Sequence, residues 1–290
     1  MPLCIVLAGG ASLRFPGGKL SSRLLGEPLL LRVVRALESS GLCRELAVST
    51  SPVALGEVDR LLEGAYDVVV DYSWLPCRGP SRGIASATIH YAPREILLAA
   101  GDMAWLTPQP LEALVDEARR RGATAAAPMW ATGFLQTLAG YIREPWLAVE
   151  SCLRRGRLAR PSDVYRSASK PLVIGSAHLG DRDGRTFMSV NTVEEMLRPR
   201  PDPPGHSVTD ASEASGIHRM ALARSSASLA GGLVYYWLEA RWYREAGILH
   251  LARHAWQDYC WALHAAGYSG GPSGRSSLMP CRVRTLQATG

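Results

Sequence analysis

The chain opens on a short apolar run, Leu3-Cys-Ile-Val-Leu7, and that run leads into Gly9-Gly10. A continuous apolar run of this length, with no polar alternation, reads as a parallel strand buried on both faces. Glycines at its end let the chain turn sharply and bring backbone N–H groups close to a ligand. Leu7, Ala8, Gly9 and Gly10 are therefore candidates to line a ligand loop, and Arg14 and Lys19 set two cations beside it. Convergent N–H donors and fixed cations suit a triphosphate, whose charge must be met by dipoles and side chains. Lysine is almost absent elsewhere: of 32 basic residues only Lys19 and Lys170 are lysine, so Lys19 stands out. The loop is neither a Walker A sequence nor a G-x-G-x-x-G dinucleotide fingerprint.

Later strand ends carry polar groups in the same way. The apolar stretch 46–50 ends in Ser49, Thr50 and Ser51, which either hold a ligand or simply turn the chain before Pro52. A third strand over 66–71 ends in Asp71. Gly79-Pro80-Ser-Arg-Gly83 then starts a helix, whose N-terminal N–H groups favour an anion or the acceptor edge of a purine. The apolar run 96–100 delivers Gly101-Asp102 to its C-terminal end. An aspartate there suits Mg²⁺ bridging phosphate oxygens, because hard cations prefer carboxylate ligands. Its strand-end position favours that reading over a cap for the turn before Thr107. Apolar spacing predicts helices over 29–40, 53–62, 111–121 and 145–153, and a strand over 123–128.

These segments resemble one family. Leu7-Ala-Gly-Gly-Ala-Ser-Leu-Arg-Phe-Pro-Gly-Gly-Lys19 is similar to the signature loop of the MobA-like nucleotidyltransferases. Gly79-Pro80-x-x-Gly83, Gly101-Asp102-Met103 and Asn191-Thr192-Val-Glu-Glu195 resemble further signatures of the same family, with Ala104 where it usually has proline and Ser189 in place of its first asparagine. The likeness spans residues 1–198 and is nearest to the molybdenum cofactor guanylyltransferases. It implies an α/β, Rossmann-like three-layer α/β/α fold with a mostly parallel sheet.

It also implies an enzyme that moves GMP from GTP to a phosphorylated acceptor, molybdopterin, with Mg²⁺ as cofactor and pyrophosphate as the leaving product. Transfer to adenosylcobinamide phosphate or phospholactate, or from a cytidine donor to molybdopterin, is the alternative within the superfamily. On that likeness Arg14, Lys19 and Asp102 are catalytic. Ser51, Asp71, Gly79, Pro80 and Gly83 join the first loop around the nucleotide, and Asp102 with Asn191 holds the metal. Gln136 either hydrogen-bonds the acceptor or is a surface glutamine on a β-edge. Arg157, in the run Arg154-Arg155-Gly156-Arg157, either meets the acceptor phosphate or is a solvated helix end. Thr192 and Glu195 have capping-box spacing.

Past residue 198 the texture changes. Residues 199–207 are proline-dense and read as a linker. Residues 208–267 read as a C-terminal α-helical extension, with Trp and Tyr at core spacing, that could dock a protein partner or a second copy. A non-catalytic, partner-binding protein is the competing class. His250 and His254 share a helical face, and 268–290 reads as a mobile tail.

A net charge of +6 suits an anionic small substrate, and without an arginine–aromatic tract nucleic acid is not the expected partner. Six scattered cysteines without a C-x-x-C pair argue against zinc, and a reducing cytoplasm is the default compartment. No signal segment or membrane span is expected.

Overall fold

Leu3–Leu7, Ile96–Ala100, Ala125–Met129 and Pro171–Gly175 are buried along nearly their whole length and lie inside one sheet, as runs without polar alternation must. The computed structural model describes residues 1–9, 18–267 and 281. Gly10 and Arg14 of the first loop, and the tail expected over 268–290 apart from Cys281, lie outside the described residues. The chain divides into two units, Met1–Ser212 and Glu213–Gly290.

In chain order the first unit runs β1 (Leu3–Leu7), β2 (Arg23–Leu24), β3 (Glu27–Pro28), α1 (Leu29–Ser39), β4 (Glu45–Thr50), α2 (Leu55–Leu62), β5 (Asp67–Val70), α3 (Pro80–Tyr91), β6 (Ile96–Ala100) and α4 (Pro108–Arg120). It continues with β7 (Ala125–Met129), β8 (Gly140–Ile142), α5 (Trp146–Arg155), α6 (Ser162–Ser167), β9 (Pro171–Gly175), α7 (Val193–Leu197) and β10 (Val208–Asp210). Eight strands form a sheet in the order β10-β9-β7-β8-β6-β1-β4-β5, while β2 and β3 form a small hairpin. Only β8 and β10 run against the others. The sheet is thus mostly parallel, as expected.

The order decides where a ligand can sit. From β1 the chain steps outward to β4 and β5, then returns to β6 on the other side of β1. Successive crossovers diverge there, and open α/β sheets bind ligands beyond the carboxyl ends of such strands. Helices pack on the sheet through the predicted stripes: Leu30, Val33, Val34 and Leu37 of α1 are fully buried, in one core with Cys4, Val6, Leu97 and Ala99.

The proline-dense stretch expected as a linker is hydrogen-bonded to the first unit. Pro203 O accepts from Ala131 N at 2.9 Å, Gly205 O from Ala177 N at 2.9 Å and Ser207 O from Gly175 N at 2.5 Å, and β10 beyond it joins the sheet. Proline removes a donor from the chain but leaves every carbonyl free to accept. The six cysteines are paired: Cys4–Cys43, Cys77–Cys152 and Cys260–Cys281 are disulfides. Cys4 and Cys43 are 39 residues apart but become neighbours because β1 pairs with β4, Leu3 opposite Glu45. Paired cysteines lend the default of a reducing compartment no support. Among the described residues no helix is long and apolar enough to cross a membrane.

The second unit holds α8 (Ser212–Ala227, which starts at the boundary), α9 (Leu229–Glu245) and α10 (Leu249–Ala265), packed together. Ala240, Ala255, Trp256 and Cys260 form one of its apolar clusters, and Ala221, Tyr236 and Ala262 another. Tyr236, Tyr243 and Trp256 are buried, as core spacing predicts, while Tyr235, Trp237, Trp242 and Tyr259 are half-buried and Trp261 is exposed. His218 and Glu239 form a fully buried pair, Nδ1 to Oε2 2.9 Å. The rings of His250 and His254 lie 4.5 Å apart on one face of α10.

Candidate active site

Three strand ends converge. Gly9 follows β1, Ser51 follows β4, and Gly101-Asp102 follows β6; Gly101 N donates to Leu7 O at 2.9 Å and Ala8 N to Ser49 O at 2.7 Å. These bonds lock the three ends side by side. Across this rim the Lys19 ammonium donates to Asp102 Oδ2, and Lys19 Nζ stands 3.5 Å from Asn191 Oδ1. The loop carrying Asn191 is tied to the same aspartate, since Val190 N donates to Asp102 O at 3.0 Å. Thr192 caps α7, its Oγ1 accepting from Glu195 N at 3.1 Å, while Glu195 Oε2 accepts from Asn191 N at 2.6 Å. The capping box thus positions Asn191.

Asp102 Oδ1 is buried and has no hydrogen-bond partner among the described residues. A buried carboxylate oxygen left bare is costly unless a further group completes it. Asp102 Oδ1 and Asn191 Oδ1 are both hard oxygen donors of the kind that Mg²⁺ takes, so the residues present fit that ion.

Lys19 is held in place by a residue that sequence reasoning did not find. Glu57 on α2 accepts from Ser21 N at 2.8 Å and from Ser21 Oγ at 2.7 Å. Gly18, at φ +102°, lies so close to the Glu57 carboxylate that any Cβ there would collide with it. No local pattern could reveal this contact, because Glu57 is 36 residues from Ser21.

Beyond β4 and β5 lies a second cluster. Ser49 Oγ donates to Asp71 Oδ1 at 3.3 Å, with Gly83 O as an alternative acceptor at 3.2 Å. Burial pushes the Asp71 carboxyl up to about 6; the Ser49 hydrogen bond and the Arg82 charge oppose this only in part. Gly9, Ser51, Asp71 and Gly83 are brought together: a Cβ on Gly9 would stand 3.3 Å from Ser51 N and 3.8 Å from Asp71 Oδ2. A Cβ on Gly83 would stand 3.0 Å from Ser49 Oγ. Gly83 differs from its expected role in one respect. It lies within α3, its N–H bonded to Gly79 O at 3.3 Å, so it supplies closeness of approach and no free donor. Gly79 precedes α3 and Pro80 is its first residue. Arg82 steadies the preceding loop by donating to Cys77 O at 2.8 Å and Leu75 O at 3.0 Å.

The two residues assigned to the acceptor fare differently. Gln136 is buried, its Nε2 donating to Phe187 O at 2.9 Å and its Oε1 accepting from Leu138 N at 3.3 Å. Both ends of the amide are occupied within the protein, so it acts as a strut. Arg157 is exposed, in the turn Gly156–Leu158. Ser81 Oγ donates to Ala159 O at 3.2 Å, which fixes that turn beside the start of α3.

A family model described as MobA-like NTP transferase domain matches residues 4–170. The chain belongs to the MobA-like NTP transferase family. It is an enzyme of the nucleotidyltransferase class on a nucleotidyltransferase fold. Relatives of this MobA-like chain include a Pyrococcus furiosus protein named probable molybdenum cofactor guanylyltransferase, 31% identical over 199 residues, covering 68% of this chain and 96% of the relative. A Thermococcus gammatolerans protein of the same name is 29% identical over 192 residues, covering 66% and 95%. Among solved structures, molybdopterin-guanine dinucleotide biosynthesis protein A from Archaeoglobus fulgidus superposes with a TM-score of 0.54 at 22% identity, covering 67% of this chain and 95% of that one. The match shows the shared fold. The family model ends at residue 170, within the first unit, so α8–α10 stand outside it.

Proposed function

We propose that this enzyme transfers GMP from GTP to a phosphorylated acceptor, molybdopterin, and releases pyrophosphate. The observation that carries the reading is the meeting of Lys19, Asp102 and Asn191 at the ends of β1 and β6, with one Asp102 oxygen left bare. Asp71 supports guanine as the base. A carboxylate accepts from two adjacent N–H donors at once, which guanine offers on its N1 and N2. The names of the relatives support molybdopterin as acceptor.

The acceptor phosphate is already an anion at neutral pH, so its oxygen can attack the α-phosphorus without a strong side-chain base. The new P–O bond forms as the bond from the α-phosphorus to the β-bridging oxygen breaks, and its electron pair leaves with pyrophosphate. Asp102 and Asn191 would hold Mg²⁺, which when bound offsets the charge of the phosphate oxygens. Lys19 exchanges its Asp102 partner for phosphate oxygens and neutralises charge that grows on the leaving group. Gly9 admits the nucleotide against the backbone, and Ser49 keeps Asp71 aimed at the base. Arg157 is placed to meet the acceptor's phosphate.

A thermal-shift panel of GTP, CTP, ATP and UTP, each with and without Mg²⁺, tests this, because binding to the native state raises the melting temperature by mass action. The expected result is a shift for GTP that grows with Mg²⁺ and disappears in Asp102→Ala. A larger shift for CTP overturns the base, and a Mg²⁺ effect that survives in Asp102→Ala overturns the metal ligand.

A further inference from the structure

The opposite end of the sheet carries a second set of convergent cations. Leu3 of β1 lies opposite both Glu45 of β4 and Ile96 of β6, and Ile96 lies opposite Ile142 of β8. Four adjacent strands therefore end in one row, and three of these ends are flanked by arginine: Arg44 before β4, Arg94 before β6 and Arg143 after β8. The three line a single cleft of about 570 Å³. Since β1 runs from this cleft towards Gly9, five residues of strand, roughly 16 Å, separate it from the nucleotide loop.

Most charged groups near this edge are paired. Glu95, which also lines the cleft, is engaged by Arg119 at 2.9 Å and by the Tyr141 hydroxyl. Tyr91, another lining residue, donates to Asp67. By contrast, the guanidinium groups of Arg44, Arg94 and Arg143 are exposed and make no hydrogen bond or ion pair with any described residue. Two carboxylates line the cleft, Glu45 and Glu95; Glu95 is already matched by Arg119 and by the Met1 ammonium at 3.4 Å, so Glu45 is the one left to oppose the arginines. Three positive charges against one leave the cleft cationic, and field lines concentrate in a concave surface. Guanidinium pairs with phosphate through two parallel N–H···O bonds, which a lysine cluster would not do. Strands stand about 4.8 Å apart, so the three arginines are spread over roughly 14 Å from β4 to β8. That span exceeds one phosphate and suits a chain of them.

We propose that this cleft is a second binding site, distinct from the nucleotide loop, for a small molecule bearing two or more linked phosphates. The phosphates could be those of a nucleotide or of inorganic polyphosphate, since the arginines read only the shared anionic chain.

Calorimetric titration of the full chain with inorganic tripolyphosphate in EDTA tests the site, using Lys19→Ala to weaken the other anion site. Binding is expected to persist in Lys19→Ala. It is expected to weaken at least tenfold when Arg44→Ala, Arg94→Ala and Arg143→Ala are added, and to weaken similarly with Arg94→Glu alone. All three side chains are exposed, and circular dichroism checks that each variant is folded. Binding that is absent in Lys19→Ala, or indifferent to the three arginines, overturns the proposal. Repeating the titration with GTP separates the sources: arginine-dependent binding tighter than tripolyphosphate assigns a nucleotide, and equal affinity assigns the phosphate chain itself. Arginine-dependent binding of an oligonucleotide without any of tripolyphosphate would overturn the small-molecule site.

Discussion

Lys19 and Asp102 stand 83 residues apart in the chain, yet the ammonium of one is bonded to the carboxylate of the other across the mouth between β1 and β6. The pair is mostly buried but open to the rim, with side-chain exposures of 15% and 20%, so a charged ligand entering there can reach and separate it. Lys19→Ala should cut turnover by about 10²–10³-fold, the usual loss when one preorganised charge-stabilising donor is removed. Binding of guanosine, which lacks phosphate, should change little. Steady-state kinetics beside guanosine binding checks this, and a variant with wild-type turnover would remove Lys19 from charge stabilisation.

Asp71 makes a pH dependence predictable. Burial holds its carboxyl near 6, and guanine recognition needs the ionised form. GTP affinity should therefore fall as pH drops through about 6 and level off above it. The phosphates of GTP titrate nearby, so the diagnostic quantity is the difference from Asp71→Asn, which should lose the Asp71-dependent step. The same variant should lose guanine preference by about 1–3 kcal/mol, a factor of roughly 5–150, because a carboxylate hydrogen bond is exchanged for an amide. Competition titrations of GTP against ATP at pH 5 and pH 8 give both readings.

Glu57 acts through the loop and not on substrate. Glu57→Gln keeps the shape but turns one carboxylate oxygen into a donor beside Ser21, and Glu57→Ala removes both hydrogen bonds. We expect Glu57→Ala to lower kcat about tenfold by letting Lys19 wander, with Glu57→Gln intermediate, since small displacements of a positioned group are costly. A structural role alone would lower the melting temperature without separating the two variants in kcat.

The parts of the fold and site that could be read in advance were those written locally. Gly9, Asp71 and Asp102 follow short apolar runs, and a strand end is recognisable from the run itself. The Thr192–Glu195 cap is legible for the same reason: spacing sets the bond. Glu57, the two disulfides of the first unit and the Gln136–Phe187 bond depend on partners 36 or more residues away, which no local spacing encodes. The bonds that hold the 199–207 stretch were not legible because proline content reports missing donors, while those contacts use carbonyl acceptors.

Gln136 offers a direct contrast with its expected role at the acceptor. Gln136→Leu would leave Phe187 O buried without its donor, at a cost of about 1–3 kcal/mol. Denaturant unfolding should show that loss, while the KM for the acceptor stays unchanged in the folded enzyme. A raised acceptor KM with unchanged stability would return Gln136 to the site.

The two disulfides of the first unit should separate stability from function. Cys77–Cys152 anchors the loop between Asp71 and α3 to α5, in a cluster with Leu75, Ala85 and Val149. Cys4–Cys43 ties the start of β1 to the segment before β4, at the sheet end away from the nucleotide loop. Each pair replaced by serine should cost about 2–4 kcal/mol. The 75-residue separation of Cys77–Cys152, against 39 for the other pair, favours the longer loop by only roughly 0.6 kcal/mol on chain-entropy grounds. Stability alone will therefore barely distinguish them. The KM for GTP should: removing Cys77–Cys152 frees the loop that Arg82 and Ser81 organise around the base and the Arg157 turn, so KM should rise several-fold with kcat nearly kept. Removing Cys4–Cys43 should leave KM unchanged. Urea unfolding paired with steady-state kinetics on both double variants decides it, and an equal rise in KM for the two would mean that the loop is held by its packing and not by the disulfide.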